Sequence, residues 1–229
     1  MNVRGLLPFS LLDYPGKISA VVFVGGCNLH CPFCHNPCLV LDPQSQPQIT
    51  EFRFFTFLES RKNLLDGIVF SGGEPTIYDD LPTWMTRVKS LGFSVKLDTN
   101  GTRPEMIARL LQKDILDAAG VDYKMPAEKY GMMGTKNYAA QVHESLSLLL
   151  AAGIPLDVRT TVHPALLRVS DLRQMRRELN LLGIQRWTLQ QFHVVDTLDA
   201  ELPTLPAYSN RELTQISREL GDNVHVRGL

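Results

Sequence analysis

The strongest constraint on the fold of this chain is an alternation. Six short apolar runs, near 18–24, 67–70, 94–97, 121–123, 155–160 and 186–191, read as strands. Between and after them, segments at 50–65, 81–91, 104–113, 138–152, 170–182 and 209–220 carry apolar and charged residues at helical spacing. Thr50-Glu51 and Ser170-Asp171 suit helix starts, and Gly92, Gly153, Gly183 and Gly221 stand where helices should stop. Strand-then-helix repetition predicts an α/β fold with a parallel sheet, because parallel neighbours need a long crossover connection. A closed barrel takes eight such units and about 250 residues. Six units in 229 residues therefore predict a partial, open (β/α)6 barrel, a single domain over 1–229 with a C-terminal helix and tail at 208–229.

Composition supplies the exclusions. Apolar residues make up 44% and charged residues 21%, enough for a buried core and too ordinary for disorder. Lys plus Arg number 23 against 24 Asp plus Glu, a net charge of −1, so binding to nucleic acid through bulk charge is not expected. No apolar run approaches the roughly 18 residues of a membrane span. The short apolar stretch after Arg4 is broken by Pro8, Asp13 and Pro15 before a signal core develops, and a cytoplasmic location is expected. The polar, proline-bearing stretch at 42–48 reads as a surface loop.

All four cysteines, Cys27, Cys31, Cys34 and Cys38, fall in one loop at 27–38 after the first predicted strand. Disulfides within it would close only tiny rings, whereas thiolates this dense suit an inorganic centre in a reducing compartment. Zinc and an iron–sulfur cluster are the two options. Structural zinc sites usually pair two close ligands with a second, distant pair. The Cys27-x3-Cys31-x2-Cys34 run is compact instead, which favours iron–sulfur. His30 and His35 are assigned to no metal, since loop histidines often bond backbone. Cys38 is a fourth thiol that either joins the centre or is a small, partly buried side chain.

This cysteine run, with Phe33 before its third cysteine and a strand before its first, resembles the signature of the radical S-adenosylmethionine (SAM) enzymes. The stretch from Phe9 to Lys17, the loop itself and His35-Asn36-Pro37 are similar to activating proteins of anaerobic ribonucleoside-triphosphate reductase and, beyond them, to pyruvate formate-lyase activating enzymes. The resemblance implies a [4Fe–4S] cluster held by Cys27, Cys31 and Cys34, with one iron left for SAM. Cluster and SAM then supply the radical chemistry, and the protein supplies orientation and shielding.

Ligands of parallel α/β folds collect beyond the C-terminal strand ends, so the residues there are the other candidates. Gly72-Gly73-Glu74 follows the second predicted strand; alone it is an ordinary turn, and beside the cysteine motif it resembles the element that takes the amino group of SAM. Asp98 and Thr99 end the third strand. The resemblance makes them contacts to SAM or to a nearby monovalent cation. Asp122 and Lys124 follow the fourth strand, Arg159 lies near the end of the fifth, and His193 follows the sixth. Each has a bland reading as a surface ion pair or a satisfied histidine, and each matches by resemblance a position that holds SAM.

The implied activity is that of a radical SAM oxidoreductase that generates a glycyl radical on a partner protein, with anaerobic ribonucleotide reductase the expected partner and flavodoxin or ferredoxin the expected electron donor. Pyruvate formate-lyase or another glycyl-radical enzyme is the alternative partner. A radical SAM enzyme acting on a small metabolite and a zinc-stabilised interaction module are the alternatives in kind.

Overall fold

The second strand shows how the chain commits itself: Ser19 to Val24 is Val-rich and almost wholly buried on both faces, as a strand inside a parallel sheet must be. The computed structural model describes residues 1–194 and 197–228. Its strands are β1 (Val3–Ser10), β2 (Ser19–Val24), β3 (Gly67–Gly72), β4 (Ser94–Thr99), β5 (Ala118–Asp122), β6 (Leu156–Val162), β7 (Trp187–Gln191) and β8 (Val224–Arg227), ordered in the sheet as in the chain. The helices are α1 (Pro37–Leu41), α2 (Glu51–Ser60), α3 (Leu81–Ser90), α4 (Pro104–Gln112), α5 (Ala139–Ala151), α6 (Val169–Leu181) and α7 (Asn210–Leu220). The α/β class holds, and all six expected strands are present as β2 to β7.

Two strands are additional to the expectation. β1 runs antiparallel to β2 through an irregular register, with shifts between Val3 and Gly5 and between Leu7 and Ser10. Gly5 and Pro8 hide such a strand from pattern reading, and an outer strand tolerates the missing donor of Pro8. β8 is only four residues long and pairs parallel to β7. Smaller corrections concern the helices. α2 stops at Ser60 because the chain turns through Asn63, whose φ is +68°. The cap of α6 is Arg168 rather than Ser170: the Asp171 carboxylate accepts from the Arg168 backbone N–H at 2.9 Å. Thr50 caps α2 as expected, and Ser209 caps α7 with Glu212 reaching back to it. The loop at 42–48 contains a 3-10 turn over Pro43–Ser45, and the Arg4 guanidinium bonds the Gln46 carbonyl at 2.9 Å and the Gln44 side chain.

The chain packs as two compact units. The first comprises Met1–Asn28, Asn36–Thr99 and Glu105–Gly120. In it β2, β3 and β4 pair in parallel. Helices α2 and α3 pack through buried Phe54, Phe55 and Trp84, with ring centroids 5.1 to 5.4 Å apart, and the Arg87 guanidinium sits 3.7 Å from the Phe55 centroid. Tyr14 packs with Val21, Val69 and Ala118, and burial pushes its phenol up to about 12. Tyr14 also opens a turn closed by Lys17 N–H on its carbonyl at 3.0 Å, with Pro15 and Gly16 (φ +76°) at the centre. From the stretch Phe9 to Lys17 it is Tyr14 that serves the core of this unit, while Phe9, Leu11 and Leu12 are exposed.

The second unit comprises Leu29–His35, Asn100–Pro104 and Val121–Leu229, whose last residue, within the expected tail, lies outside the described ones. Here β6, β7 and β8 pair in parallel. Buried Trp187 donates its indole N–H to Thr160 Oγ1 at 2.9 Å, and Thr160 in turn donates to the Tyr123 carbonyl at 2.5 Å, which joins β7 and β6 to the residues just beyond β5.

Candidate active site

The candidates in the first unit cluster at the C-terminal ends of β2, β3 and β4. Gly72 and Gly73 are there because no side chain fits. A Cβ at Gly72, whose φ is +112°, would lie 2.4 Å from the Val24 amide nitrogen, and one at Gly73 would lie 1.9 Å from the Gly26 carbonyl oxygen. The close approach is used at once: Gly73 N–H donates to the Val24 carbonyl at 2.8 Å, and Glu74 N–H to the Gly26 carbonyl at 2.9 Å. The backbone leading into Cys27 is thereby laced to the Gly-Gly-Glu turn.

Glu74 is fully buried. Its Oε1 accepts from Thr76 N–H at 3.0 Å, Thr76 Oγ1 at 2.6 Å and Thr99 Oγ1 at 2.7 Å. A buried carboxylate held by three donors is a fixed negative point, positioned on two strand ends at once. Thr76 escaped the sequence reading; its signal was its place two residues after Glu74, where a hydroxyl and an amide can both reach back. On the opposite face of β4, Asp98 pairs with Lys96, Nζ to Oδ1 at 2.5 Å, both side chains almost buried. Lys96 was also missed, although a lysine two positions before an aspartate in an apolar strand places both on one face.

In the second unit Asp122, Lys124 and Arg159 come together. Asp122 Oδ1 accepts from Arg159 Nε at 3.1 Å and pairs with its Nη2 at 3.0 Å, while Oδ2 pairs with Lys124 Nζ at 3.3 Å. Burial alone would raise the Asp122 carboxyl, but the charges of Lys124 and then Arg159 outweigh it and hold it at about 2. One carboxylate between two cations leaves a net charge of about +1, a setting for an anionic group. Lys124 also lies 5.6 Å from the centroid of the Phe33 ring, so this cluster abuts the cysteine loop. The Tyr130 hydroxyl, another residue the sequence did not flag, accepts from Lys124 N–H at 3.1 Å.

The cysteine loop is pinned from several sides. Leu29 and Phe33 are buried; His30 N–H donates to the Met133 carbonyl at 2.7 Å, and Asp199 N–H donates to the Pro32 carbonyl at 3.0 Å. Cys34 N–H closes a turn on the Cys31 carbonyl at 3.0 Å. None of the four cysteines forms a disulfide. Cys31 is buried, and burial pushes its thiol up while the Lys124 charge opposes that rise. Cys27 and Cys34 are half-buried, and Cys38, in the first turn of α1, is exposed. His193 is exposed: the Gly228 backbone passes so near that a Cβ there would lie 2.9 Å from His193 Nε2. The neighbouring Phe192 ring contacts His35 and His163, with centroids 5.7 and 4.9 Å apart.

The donor chemistry fits an iron–sulfur group: three reduced, soft thiols on a loop whose backbone is tied down, beside a fixed cation. Among the described residues no three His, Cys, Asp or Glu side chains form a ready set around one metal ion. Three thiolates on a four-iron core would each bind a different iron and need not meet at one point.

Comparison with known proteins agrees with this chemistry. The family model for the radical SAM superfamily matches residues 21–179. A Methanocaldococcus jannaschii protein named as a candidate glycyl-radical enzyme activating enzyme is 32% identical over 98% of this chain and 95% of its own length. A PqqA peptide cyclase from Streptomyces rochei is 31% identical over 60% of this chain, which spans only 38% of that protein. Among solved structures, Streptococcus suis SuiB bound to its precursor peptide SuiA superimposes with a TM-score of 0.70 at 12% identity, over 91% of this chain and 48% of SuiB, a likeness of fold. No described helix is long and apolar enough to cross a membrane. The match to the family model over most of the chain, together with a relative aligned from end to end, makes this protein an enzyme of the radical SAM superfamily, whose members work with a [4Fe–4S] cluster and S-adenosylmethionine.

Proposed function

We propose that this enzyme is a glycyl-radical activase: it uses reductive cleavage of SAM to remove a hydrogen atom from a backbone glycine of a partner protein. The observation that carries the reading is the similarity to the M. jannaschii candidate activating enzyme, 32% identical over 98% of this chain and 95% of that protein. Anaerobic ribonucleoside-triphosphate reductase is the partner we put first, pyruvate formate-lyase or another glycyl-radical enzyme second, and reduced flavodoxin or ferredoxin is the proposed electron donor.

Charge and position support the residue roles that the resemblance implies. Cys27, Cys31 and Cys34 would hold the cluster, with Cys38 outside it. Cluster and SAM, when bound, supply the one-electron cleavage that makes a hydrogen-abstracting radical. Glu74, fixed by Thr76 and Thr99 on the Gly72-Gly73 turn, is suited to the amino group of SAM. Lys124 and Arg159, held by Asp122, are suited to its carboxylate. Thr99, bonded to Glu74, and Asp98, on the other face of β4, are kept as proposed SAM contacts, and exposed His193 is proposed to line the entrance near the adenosyl group.

Partial similarity to a peptide cyclase favours a second reading, a radical SAM enzyme acting on a small molecule or peptide. One experiment separates them. Reduced enzyme and SAM are incubated anaerobically with each candidate partner and examined by electron paramagnetic resonance. A glycine-centred doublet that needs both SAM and the partner is expected; SAM cleavage with no doublet on any glycyl-radical partner would turn the assignment to the second reading.

A further inference from the structure

Asp98 and Thr99 were expected to contact SAM or a monovalent cation, and the structure lets the second option be tested on chemistry alone. A buried carboxylate attracts a cation when nothing else neutralises it. In this chain something else does. Lys96 lies two residues earlier on β4, so the two side chains share a face. Its Nζ is 2.5 Å from Asp98 Oδ1, and the two side chains keep 3% and 10% of their surface exposed.

The pairing is imposed by what lies below. Lys96 is in register with Val69 on β3, and Val69 belongs to the apolar layer of Tyr14, Val21 and Ala118. The lysine stem rises from that layer toward the C-terminal end of the strand, where Asp98 is the carboxylate on the same face. An ammonium taken almost entirely out of water must be paired, and so must the carboxylate; neither is left uncompensated while both are present. An alkali cation at the same oxygen would have to enter beside a fixed positive charge already 2.5 Å from that oxygen, where repulsion opposes binding.

We propose that Lys96 replaces the monovalent cation: this chain carries its own positive charge at Asp98 and needs no potassium or sodium there. The inference concerns the Lys96–Asp98 pair in the protein itself and does not rest on the activase reading.

The test compares thermal midpoints of the full-length reconstituted enzyme in potassium, sodium and tetramethylammonium chloride at equal ionic strength. The wild type should give the same midpoint in all three, and Lys96→Arg should behave likewise. Lys96→Met keeps an apolar stem but removes the charge, and it should become cation-dependent, its midpoint rising by about 3–6 °C once potassium or sodium exceeds its Kd about tenfold. A wild-type midpoint that rises specifically with potassium or sodium, and loses that rise in Asp98→Asn, would overturn the proposal. So would a folded Lys96→Met with no cation dependence. Should Lys96→Met not fold, thallium-205 NMR of the wild type decides: a thallium line broadened by exchange, and restored by Asp98→Asn, overturns the idea, and an unbroadened line supports it. These outcomes are independent of SAM cleavage. An enzyme that forms a glycyl radical yet binds potassium at Asp98 would sink only this inference.

Discussion

Thr99 donates its hydroxyl proton to Glu74 Oε1 at 2.7 Å, across 25 positions of sequence, and so ties the end of β4 to the turn that follows β3. The bond is wholly buried, and it converts a glycine-rich turn into a rigid mount for a carboxylate. Removing it should register in stability before it registers in chemistry. Thr99→Val keeps the shape but deletes one donor from a buried acceptor, and should cost about 1–3 kcal/mol in urea unfolding. A change below about 0.5 kcal/mol would mean that Thr76 and the remaining contacts satisfy Glu74 without it.

Glu74 itself is proposed to hold the amino group of SAM. Glu74→Gln, nearly isosteric, should lower SAM affinity by tenfold or more in anaerobic calorimetry while leaving the iron and sulfide content of the reconstituted protein unchanged. Equal affinity in the variant would remove Glu74 from the ligand-binding role.

Single replacement of Cys27, Cys31 or Cys34 by Ala should abolish formation of 5′-deoxyadenosine from SAM under reducing conditions, whereas Cys38→Ala should retain it. The contrast is physically grounded, since Cys38 is exposed on α1 and the other three occupy the pinned loop before it. Loss of cleavage in Cys38→Ala with the cluster still intact would assign that thiol a role the present reading denies it.

Asp122 gives the pH-dependent prediction. Its carboxyl is held below its ordinary value of 3.8, at about 2, so its contribution to stability is present in full above about pH 4 and is lost as pH falls through 2. The side chain keeps 35% of its surface in water, and solvent screening reduces that contribution to about 1 kcal/mol. The stability gap between wild type and Asp122→Asn should therefore be flat from pH 7 to about 5 and narrow toward pH 3. A gap that widens on acidification would contradict the assigned direction.

Steric necessity can be checked at Gly73. Gly73→Ala places a methyl group inside the van der Waals radius of the Gly26 carbonyl, backbone against backbone, with no flexible side chain to yield. Loss of about 3 kcal/mol or more is expected, seen as a fall in soluble yield and thermal midpoint. Near-wild-type stability would show that the Gly25-Gly26 segment moves aside easily.

Read by itself, the sequence determined whatever is local. Apolar periodicity located β2 to β7 and the starts of α2 to α7 to within a few residues, and Thr50, Gly92 and Gly153 marked helix ends because caps and positive-φ stops are chosen by neighbours in sequence. The cysteine spacing announced thiolate chemistry for the same reason: three thiols within eight residues need no knowledge of the sheet. What it could not determine depends on register. Gly72 and Gly73 read as a permissive turn, and only the pairing of β2 with β3 shows that Val24 and Gly26 occupy the space a side chain would take. Thr76 and Lys96 were passed over, β1 was hidden by Gly5 and Pro8, and the cap of α6 was placed two residues late. Tertiary structure decided these because a strand pairing sets, all at once, which distant atoms meet, and the cost of burying Glu74, Asp98 or Asp122 without a partner is paid or avoided only after that register is chosen.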